Sequence, residues 1–126
     1  MRASGPVIGT NDASRRGMVR LIVALHAASP RAAQSLLEAL RFLQLSTRFD
    51  PGCIECSAAE EPDGTVRYTE LWATEPDIRR RICSDQFTSL LSVLESAREA
   101  TVQFDFVTSI RGLDYVAEVR AENTDA

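Results

Sequence analysis

The feature that most constrains the fold of this chain is the order in which strand-like and helix-like hydrophobic patterns follow one another. Residues 18–27 are rich in aliphatic and β-branched side chains on alternate positions, which is typical of a strand with both faces covered. Residues 30–49 then carry apolar side chains every three or four positions, which predicts an amphipathic helix. Ser29 and Pro30 fit its N-cap and first turn, and a turn at residues 50–52 ends it.

Three more strands and a second helical region are predicted beyond this turn. Residues 53–60 and 65–73 flank an Asp-Gly turn and therefore predict a β-hairpin. A helix starts after Thr74, and Ser84 predicts a break and a restart. Residues 101–110 alternate strictly, which predicts one unbroken strand. The side chains expected on one side of that strand are Val102, Phe104, Phe106, Thr108 and Ile110.

The resulting order β-α-β-β-α-β predicts an α+β domain of the ferredoxin-like type, with helices on one face of an antiparallel sheet. We expect the domain to span residues 18–120 and to end in a short helix at 113–120. A flexible leader over residues 1–17 and a loose tail over 121–126 are expected on either side. A strand with both faces apolar in so small a chain further predicts a homodimer, in which a partner covers one side of the sheet.

Composition removes several classes of function. The net charge is −4, which argues against nucleic acid as the partner. The chain contains fourteen arginines and no lysine, so neither a Schiff-base lysine nor a Walker A loop can exist. No apolar run reaches the length of a membrane span, and the N-terminus carries no signal-peptide pattern. We therefore expect a cytoplasmic protein with no membrane partner.

Two cysteines in the second predicted strand, Cys53 and Cys56, form a C-x-x-C motif. Side chains three positions apart in an extended strand point to opposite faces, so we expect these thiols to diverge. A structural zinc site needs four ligands, and Cys83 and His26 are the further soft candidates. Since no helix follows the motif to lower a thiol pKa, we interpret both cysteines as packed strand residues and expect no metal site.

Side chains that could take part in catalysis or ligand binding lie at two places in the predicted sheet. His26 ends the first strand and is the single histidine, although a strand-end histidine is commonly structural. Glu70 and Trp72 share a face of the third strand with Tyr68. A carboxylate among aromatic rings fits a ligand pocket, and it equally fits a core in which Glu70 pairs with an arginine across the sheet. Of the successive arginines at 79–81, at most two can reach a pocket.

Three short motifs give the chain a family resemblance. They are Pro-Gly-Cys at 51–53, Glu-Leu-Trp at 70–72 and Ser-Asp-Gln-Phe at 84–87. With the element spacing over residues 18–110, they resemble the antibiotic biosynthesis monooxygenase (ABM) family. The resemblance implies a dimeric α/β barrel in which each subunit keeps a pocket between its sheet and its helices. Some members of that family oxidise polycyclic phenols or quinols with dioxygen, using neither metal nor flavin.

Together, the residues and the resemblance suggest roles for the catalytic candidates His26, Glu70 and Trp72. We expect Trp72 to stack on the substrate, Glu70 or His26 to take the proton, and Arg80 or Arg81 to hold a phenolate or quinone oxygen. The expected substrate-binding residues are Ile22, Ala24, Tyr68, Arg80, Arg81, Phe87 and Leu91. In the haem-degrading branch of the family, an asparagine and a histidine stand where this chain has Ala24 and Leu91. We therefore do not expect haem degradation.

Three functions remain open from the sequence. The first is a cofactor-independent oxygenase of a small aromatic or quinol-like ligand. The second is a non-catalytic dimeric binding or accessory protein that keeps the pocket, which the shortage of candidate bases favours. The third is an isomerase or lyase of a small molecule on the same fold. An open pocket joining His26, Glu70 and Trp72 would favour the enzyme, whereas a pocket filled by side chains would favour the binding protein.

Overall fold

The computed structural model describes residues 17–106 and 110–125, with side chains up to residue 123. The elements in chain order are β1 (Val19–His26), α1 (Pro30–Thr47), β2 (Cys53–Glu60), β3 (Val66–Trp72), α2 (Glu75–Ile82), α3 (Asp85–Glu95), β4 (Glu99–Phe106), β5 (Ile110–Arg111) and α4 (Asp114–Asp125). The predicted leader lies outside the described residues apart from Gly17.

The strands form a single five-stranded sheet in the order β2-β3-β1-β4-β5, and each neighbouring pair is antiparallel. β1 lies in the middle, where Leu21 stands opposite Glu70 of β3 and Phe104 of β4. This arrangement confirms the predicted α+β ferredoxin-like fold.

The two faces of the sheet differ in what covers them. On the face that the helices cover, called the helix face below, the β1 residues Val19, Leu21, Val23 and Leu25 are at most 1% exposed. On the opposite face, called the outer face, Ile22 and Ala24 are half-buried and His26 is exposed. We predicted that both faces of β1 are covered. Within the described chain, the helix face is fully covered and the outer face is covered only in part.

Serine and threonine caps fix where the helices begin. The side-chain oxygens of Ser29, Thr74 and Ser84 each accept a hydrogen bond from a backbone N–H three residues further on. These bonds satisfy amides that have no partner inside the helix. The predicted break at Ser84 between α2 and α3 is confirmed.

The C-terminal part departs from the sequence-based expectation. The strand expected to run unbroken to Ile110 ends at Phe106, and the chain returns antiparallel, so that Ile110 pairs with Asp105 on the outer face. Ile110 is 64% exposed, and the expected position of Thr108 lies outside the described residues. α4 continues to Asp125, so residues 121–125 are helical where a loose tail was expected.

α4 is packed into the core. Tyr115, Val116 and Val119 are buried, and the Tyr115 ring lies 5.0 Å from that of Phe104, between ring centroids. The Tyr115 hydroxyl donates to Glu75 Oε2 at 2.9 Å. Two further hydrogen bonds join α4 to α2: Arg79 donates to Glu122, and Arg120 donates to the carbonyl of Ile82. The extension beyond β4 therefore packs against β4 and α2 and is part of the folded domain.

Candidate functional site

A β-bulge near the start of β2 brings the two cysteines of the C-x-x-C motif to the same face. In the register, Cys53 stands opposite Trp72 and Cys56 opposite Glu70, with one extra residue, Ile54, inserted between Cys53 and Glu55. Trp72 and Glu70 are two residues apart and share the helix face, so their partners do too. The expected divergence of Cys53 and Cys56 is wrong, because it assumed a regular strand.

Glu70 is the centre of a buried polar cluster on this face. Its Oε1 accepts hydrogen bonds from Trp72 Nε1 at 2.9 Å and from Arg81 Nε at 3.2 Å. Its Oε2 accepts from Arg81 Nη2 at 2.8 Å and from the Tyr68 hydroxyl. Tyr68, Glu70 and Trp72 are 0% exposed and Arg81 is 1% exposed. We call these four residues the Glu70 cluster.

Local structure explains why these four side chains meet. The alternation of β3 places Tyr68, Glu70 and Trp72 on the helix face. On α2, Arg81 lies three residues after Ile78 and next to Ile82, both fully buried, so it occupies a core-facing position of the helix. The pairing with Glu70 that we left open as a possibility is confirmed, but the arginine comes from a helix and not from across the sheet.

Arg81 has one hydrogen-bonding group to spare. Its Nε and Nη2 form a fork on Glu70, while Nη1 is the one buried side-chain nitrogen or oxygen without a partner among the described residues. The guanidinium carbon lies 5.6 Å from the centroid of the Phe87 ring, which contributes a cation–π contact. A buried N–H without a partner is costly, so a ligand acceptor placed there would gain a strong charge-assisted hydrogen bond.

Burial sets the protonation of the groups around the cluster. It raises the pKa of Cys56 to about 12 and that of Cys53 to about 11. The Cys56 thiol contacts the Tyr68 hydroxyl at 3.4 Å. Burial and the negative charge of Glu70 raise the pKa of Tyr68 well above its usual range. For Arg81, burial acts to lower the pKa, but the hydrogen bonds and charge of Glu70 outweigh it and raise the pKa. Near neutral pH the thiols and the phenol are therefore protonated.

These shifts predict a loss of stability in alkali. The folded Cys56 thiol keeps its proton up to about pH 12, whereas the thiol of an unfolded chain loses it near pH 9.0. The folded state therefore binds more protons than the unfolded state above pH 9, and its stability falls as the pH rises from about 9 to 12. The melting temperature measured from about pH 8 to pH 11 should fall, and it should fall less in a Cys53→Ala/Cys56→Ala variant. A melting temperature that rises over this range would contradict the assignment.

The residues expected to share one site are divided between the two faces of the sheet. Ile22, Ala24 and His26 lie on the outer face, because they alternate with Leu21 and Leu25 along β1. His26 is also five residues along the strand from Leu21, which is about 16 Å from the level of Glu70. His26 is thus not brought to Glu70 and Trp72, and Ala24, an expected substrate-binding residue, lies on the face opposite Trp72.

Among the expected arginines and α3 residues, some reach the Glu70 cluster and others do not. The Arg80 side chain is 55% exposed and binds Asp77 and the carbonyl of Pro51, so Arg81 is the arginine that reaches the cluster. On α3, Phe87 is buried against Arg81, whereas Leu91 is half-buried. We had left Arg80 and Arg81 as equal candidates. The spacing of Arg81 from the buried residues Ile78 and Ile82 could have identified it as the one that faces the core. The contact of Cys56 with Tyr68 depends on the bulge, and nothing in the sequence pattern predicts a bulge at that position.

His26 lines a separate cleft at the end of the sheet, where α1 begins. The cleft has a volume of about 280 Å³, and Glu60, Asp63 and Ser29 also line it. The described residues contain no group of three or more histidine, cysteine or acidic side chains that could hold a metal ion. None of the helices in the described part of the chain has the length and hydrophobicity that a membrane span requires.

The antiparallel sheet with helices on one face is a ferredoxin-like α+β fold, and solved structures of antibiotic biosynthesis monooxygenases share this fold. No protein-family model matches the chain, and no curated protein matches it significantly. An antibiotic biosynthesis monooxygenase shares 20% identity over 69% of this chain and 95% of its own, with a TM-score of 0.58. Rv0793 from Mycobacterium tuberculosis shares 21% identity over 70% and 92%, with a TM-score of 0.61.

A third similar structure is a point mutant of SnoaB, a cofactor-independent oxygenase from Streptomyces nogalater. It shares 13% identity over 71% of this chain and 91% of its own, with a TM-score of 0.55. At such low identities these likenesses establish the fold.

Proposed function

We propose that this protein is a cofactor-independent monooxygenase that acts on a small aromatic or quinol-type substrate with dioxygen. The observation that carries the proposal is the unpartnered Nη1 of buried Arg81, in a cluster that also offers a phenol and a carboxylate. The cluster lies between sheet and helices, where the ABM resemblance implies the pocket. The likeness to SnoaB, itself a cofactor-independent oxygenase, supports the same chemistry.

The reaction needs no electron source besides the substrate. A phenol with a free ring position and one dioxygen molecule yield a quinone and one water molecule. One oxygen atom enters the ring, the other leaves as water, and the phenol supplies all the electrons. The protein has to hold the substrate, accept the phenolic proton and stabilise the anion that reacts with dioxygen.

The Glu70 cluster offers groups for each of these tasks. Arg81 Nη1 would donate a hydrogen bond to the phenolate oxygen and stabilise its charge. Tyr68 would accept the substrate proton while it passes its own proton to Glu70, to which it already donates. Trp72 would keep the carboxylate in place through its bond to Oε1. Because the cluster is closed to solvent, binding requires movement of the side chains that cover it.

Oxygen uptake by purified protein tests the proposal. A panel of quinols and polycyclic phenols, with chelator present and no cofactor added, should include a substrate that consumes dioxygen above the uncatalysed rate. Tyr68→Phe keeps the ring and removes the hydroxyl, so the rate should fall by about 10²-fold or more, as for the loss of a general acid–base group. Melting temperatures would show that the variant is folded.

His26→Gln is the matched comparison for a site elsewhere. His26 is exposed and lies on the opposite face, so the rate should stay within about twofold if the Glu70 cluster is the reacting site. A rate lost in His26→Gln and kept in Tyr68→Phe would place the reaction in the cleft beside α1 and refute the assignment to the cluster.

A non-catalytic small-ligand-binding or accessory role is the second candidate. The specific observation in its favour is that side chains fill the site, since the members of the Glu70 cluster are at most 1% exposed. In that case a phenolic ligand should raise the melting temperature without any oxygen uptake. The two measurements on the same ligand panel separate the two functions.

We also propose a homodimer formed through the outer face of the sheet. Ile22, Ala24 and Leu71 are half-buried there, and none of the described helices covers them, so a second subunit would remove apolar surface from water. Sedimentation velocity measures the association directly, and a monomer at micromolar concentration would contradict it.

A further inference from the structure

The solvent side of α1 carries an exposed apolar stripe. Phe42 is 73% exposed, Leu45 is 57% exposed and Phe49, just beyond the helix, is 75% exposed. Phe42 and Leu45 are three residues apart, which places them about 60° from each other on the side of α1 away from the sheet, and Phe49 follows Leu45 by four residues. We call these three residues the Phe42 stripe. Together they expose an apolar area on the order of 400 Å², which is the size of the largest apolar patch on a typical monomer, and such patches are often functional.

The arginines beside this stripe have no acidic partners. Arg31, Arg41 and Arg48 are exposed and make no ion pair with any described residue. Six other arginines do pair with carboxylates in the described chain, namely Arg20, Arg67, Arg79, Arg80, Arg81 and Arg111. α1 contains a single acidic residue, Glu38. Counting Asp50, which follows Phe49, residues 30–50 carry three arginines and two acidic residues, so in a protein of net charge −4 this segment presents a small excess of positive charge.

We propose that the Phe42 stripe is a docking surface for an acidic amphipathic helix of another protein. The apolar residues of such a helix would pack on the two phenylalanines and Leu45, and its glutamates or aspartates would pair with Arg41 and Arg48. The three-and-four spacing is that of a helix-packing seam. An anionic lipid surface is the alternative occupant, and binding to vesicles distinguishes it from a protein helix. The proposal concerns a different surface from the Glu70 cluster and does not depend on the proposed enzyme activity.

Charge argues against two other occupants. A second copy of the chain on a two-fold axis would bring the arginines of α1 against those of its partner, which is unfavourable in a desolvated contact. The N-terminal sequence up to residue 16 contains three arginines and one aspartate, so it too is basic. An acidic partner is the occupant whose charge complements the surface.

A pair of synthetic helices tests the proposal. One is a peptide of about three heptads with leucines on one side and glutamates beside them, and its twin carries lysines in place of the glutamates. Fluorescence anisotropy with the full chain should show at least about tenfold tighter binding of the glutamate peptide, and the affinity should weaken with added salt. Arg41→Glu/Arg48→Glu should reverse the preference in favour of the lysine peptide.

Two further variants separate docking from general charge attraction. Phe42→Ser/Phe49→Ser should lower the affinity for the glutamate peptide by about tenfold or more. Arg98→Glu alters an exposed arginine that also lacks an ion pair in the described chain but lies outside α1, so the affinity should change by less than about twofold.

Three results would overturn the proposal. One is equal binding of both peptides. Another is binding of anionic phosphatidylglycerol vesicles through the same residues without binding of the glutamate peptide, which would assign the stripe to a lipid surface. The last is a concentration-dependent self-association that Phe42→Ser abolishes, which would assign it to a second copy of this chain.

Discussion

Replacing Arg81 with methionine is expected to lower the free energy of unfolding by about 3–5 kcal/mol. Methionine keeps much of the volume but leaves the carboxylate of Glu70 buried without its positive partner. Two of the four hydrogen bonds that Glu70 accepts are lost with the guanidinium. Chemical denaturation with urea would measure the change, since this chain is small enough for a single cooperative transition.

Arg80→Met is the matched control for this substitution. Arg80 precedes Arg81 on the same helix but is exposed, and its pairing with Asp77 is a surface ion pair that should contribute less than about 1 kcal/mol. A double variant, Arg81→Met/Glu70→Gln, should be more stable than the sum of the two single changes predicts, because no charge is then left alone. Equal losses for Arg81→Met and Arg80→Met would show that the Glu70 cluster does not hold the core together.

Deleting residues 112–126 is expected to cost about 5 kcal/mol or more of folding stability. The deletion removes Tyr115, Val116 and Val119 from the core and uncovers Phe104, and each buried side chain contributes about 1.5–3 kcal/mol. Since that loss approaches the whole stability of a small domain, we expect little folded protein from the truncated chain. An unchanged melting temperature would refute the packing of α4 described above.

Tyr115→Ala tests the same packing in a chain that keeps α4. It removes the ring that packs on Phe104 and Phe106 and should cost about 3–5 kcal/mol, as other aromatic truncations in cores do. Ala117→Ser lies on the exposed side of the same helix and should change the stability by less than about 0.5 kcal/mol. Thermal or urea unfolding of the two variants would give the comparison.

The fold is predictable from this sequence because its local signals agree with one another. Ser29, Thr74 and Ser84 each stand at a real helix start, and the Asp-Gly turn at residues 63–64 does join two paired strands. Hydrophobic periodicity then assigns each element its buried face. Local propensity, capping and pattern all point to one arrangement, which is why the β-α-β-β-α-β order could be read without alignment.

The candidate site is less predictable, because its geometry depends on features that periodicity does not encode. The bulge after Cys53 rotates the strand by one residue and brings Cys53 and Cys56 together on the helix face. β4 and β5 pair antiparallel, although the sequence through both strands alternates without a break. Pairing of Glu70 with Arg81 depends on how α2 sits on the sheet, although the spacing of Arg81 from Ile78 and Ile82 already places it on the buried side of that helix.

The shared carboxylate of the Glu70 cluster also has an evolutionary consequence. Each oxygen of Glu70 accepts two hydrogen bonds, one of them from Arg81. Loss of Arg81 leaves a buried charge unpaired, loss of Glu70 leaves three buried donors without their acceptor, and loss of Tyr68 or Trp72 removes one of the four bonds. A sequence that drifts at Tyr68, Trp72 or Arg81 therefore passes through a destabilised intermediate unless a second position changes with it. Descendants of this chain would be expected to keep the four residues as a set or to replace them as a set.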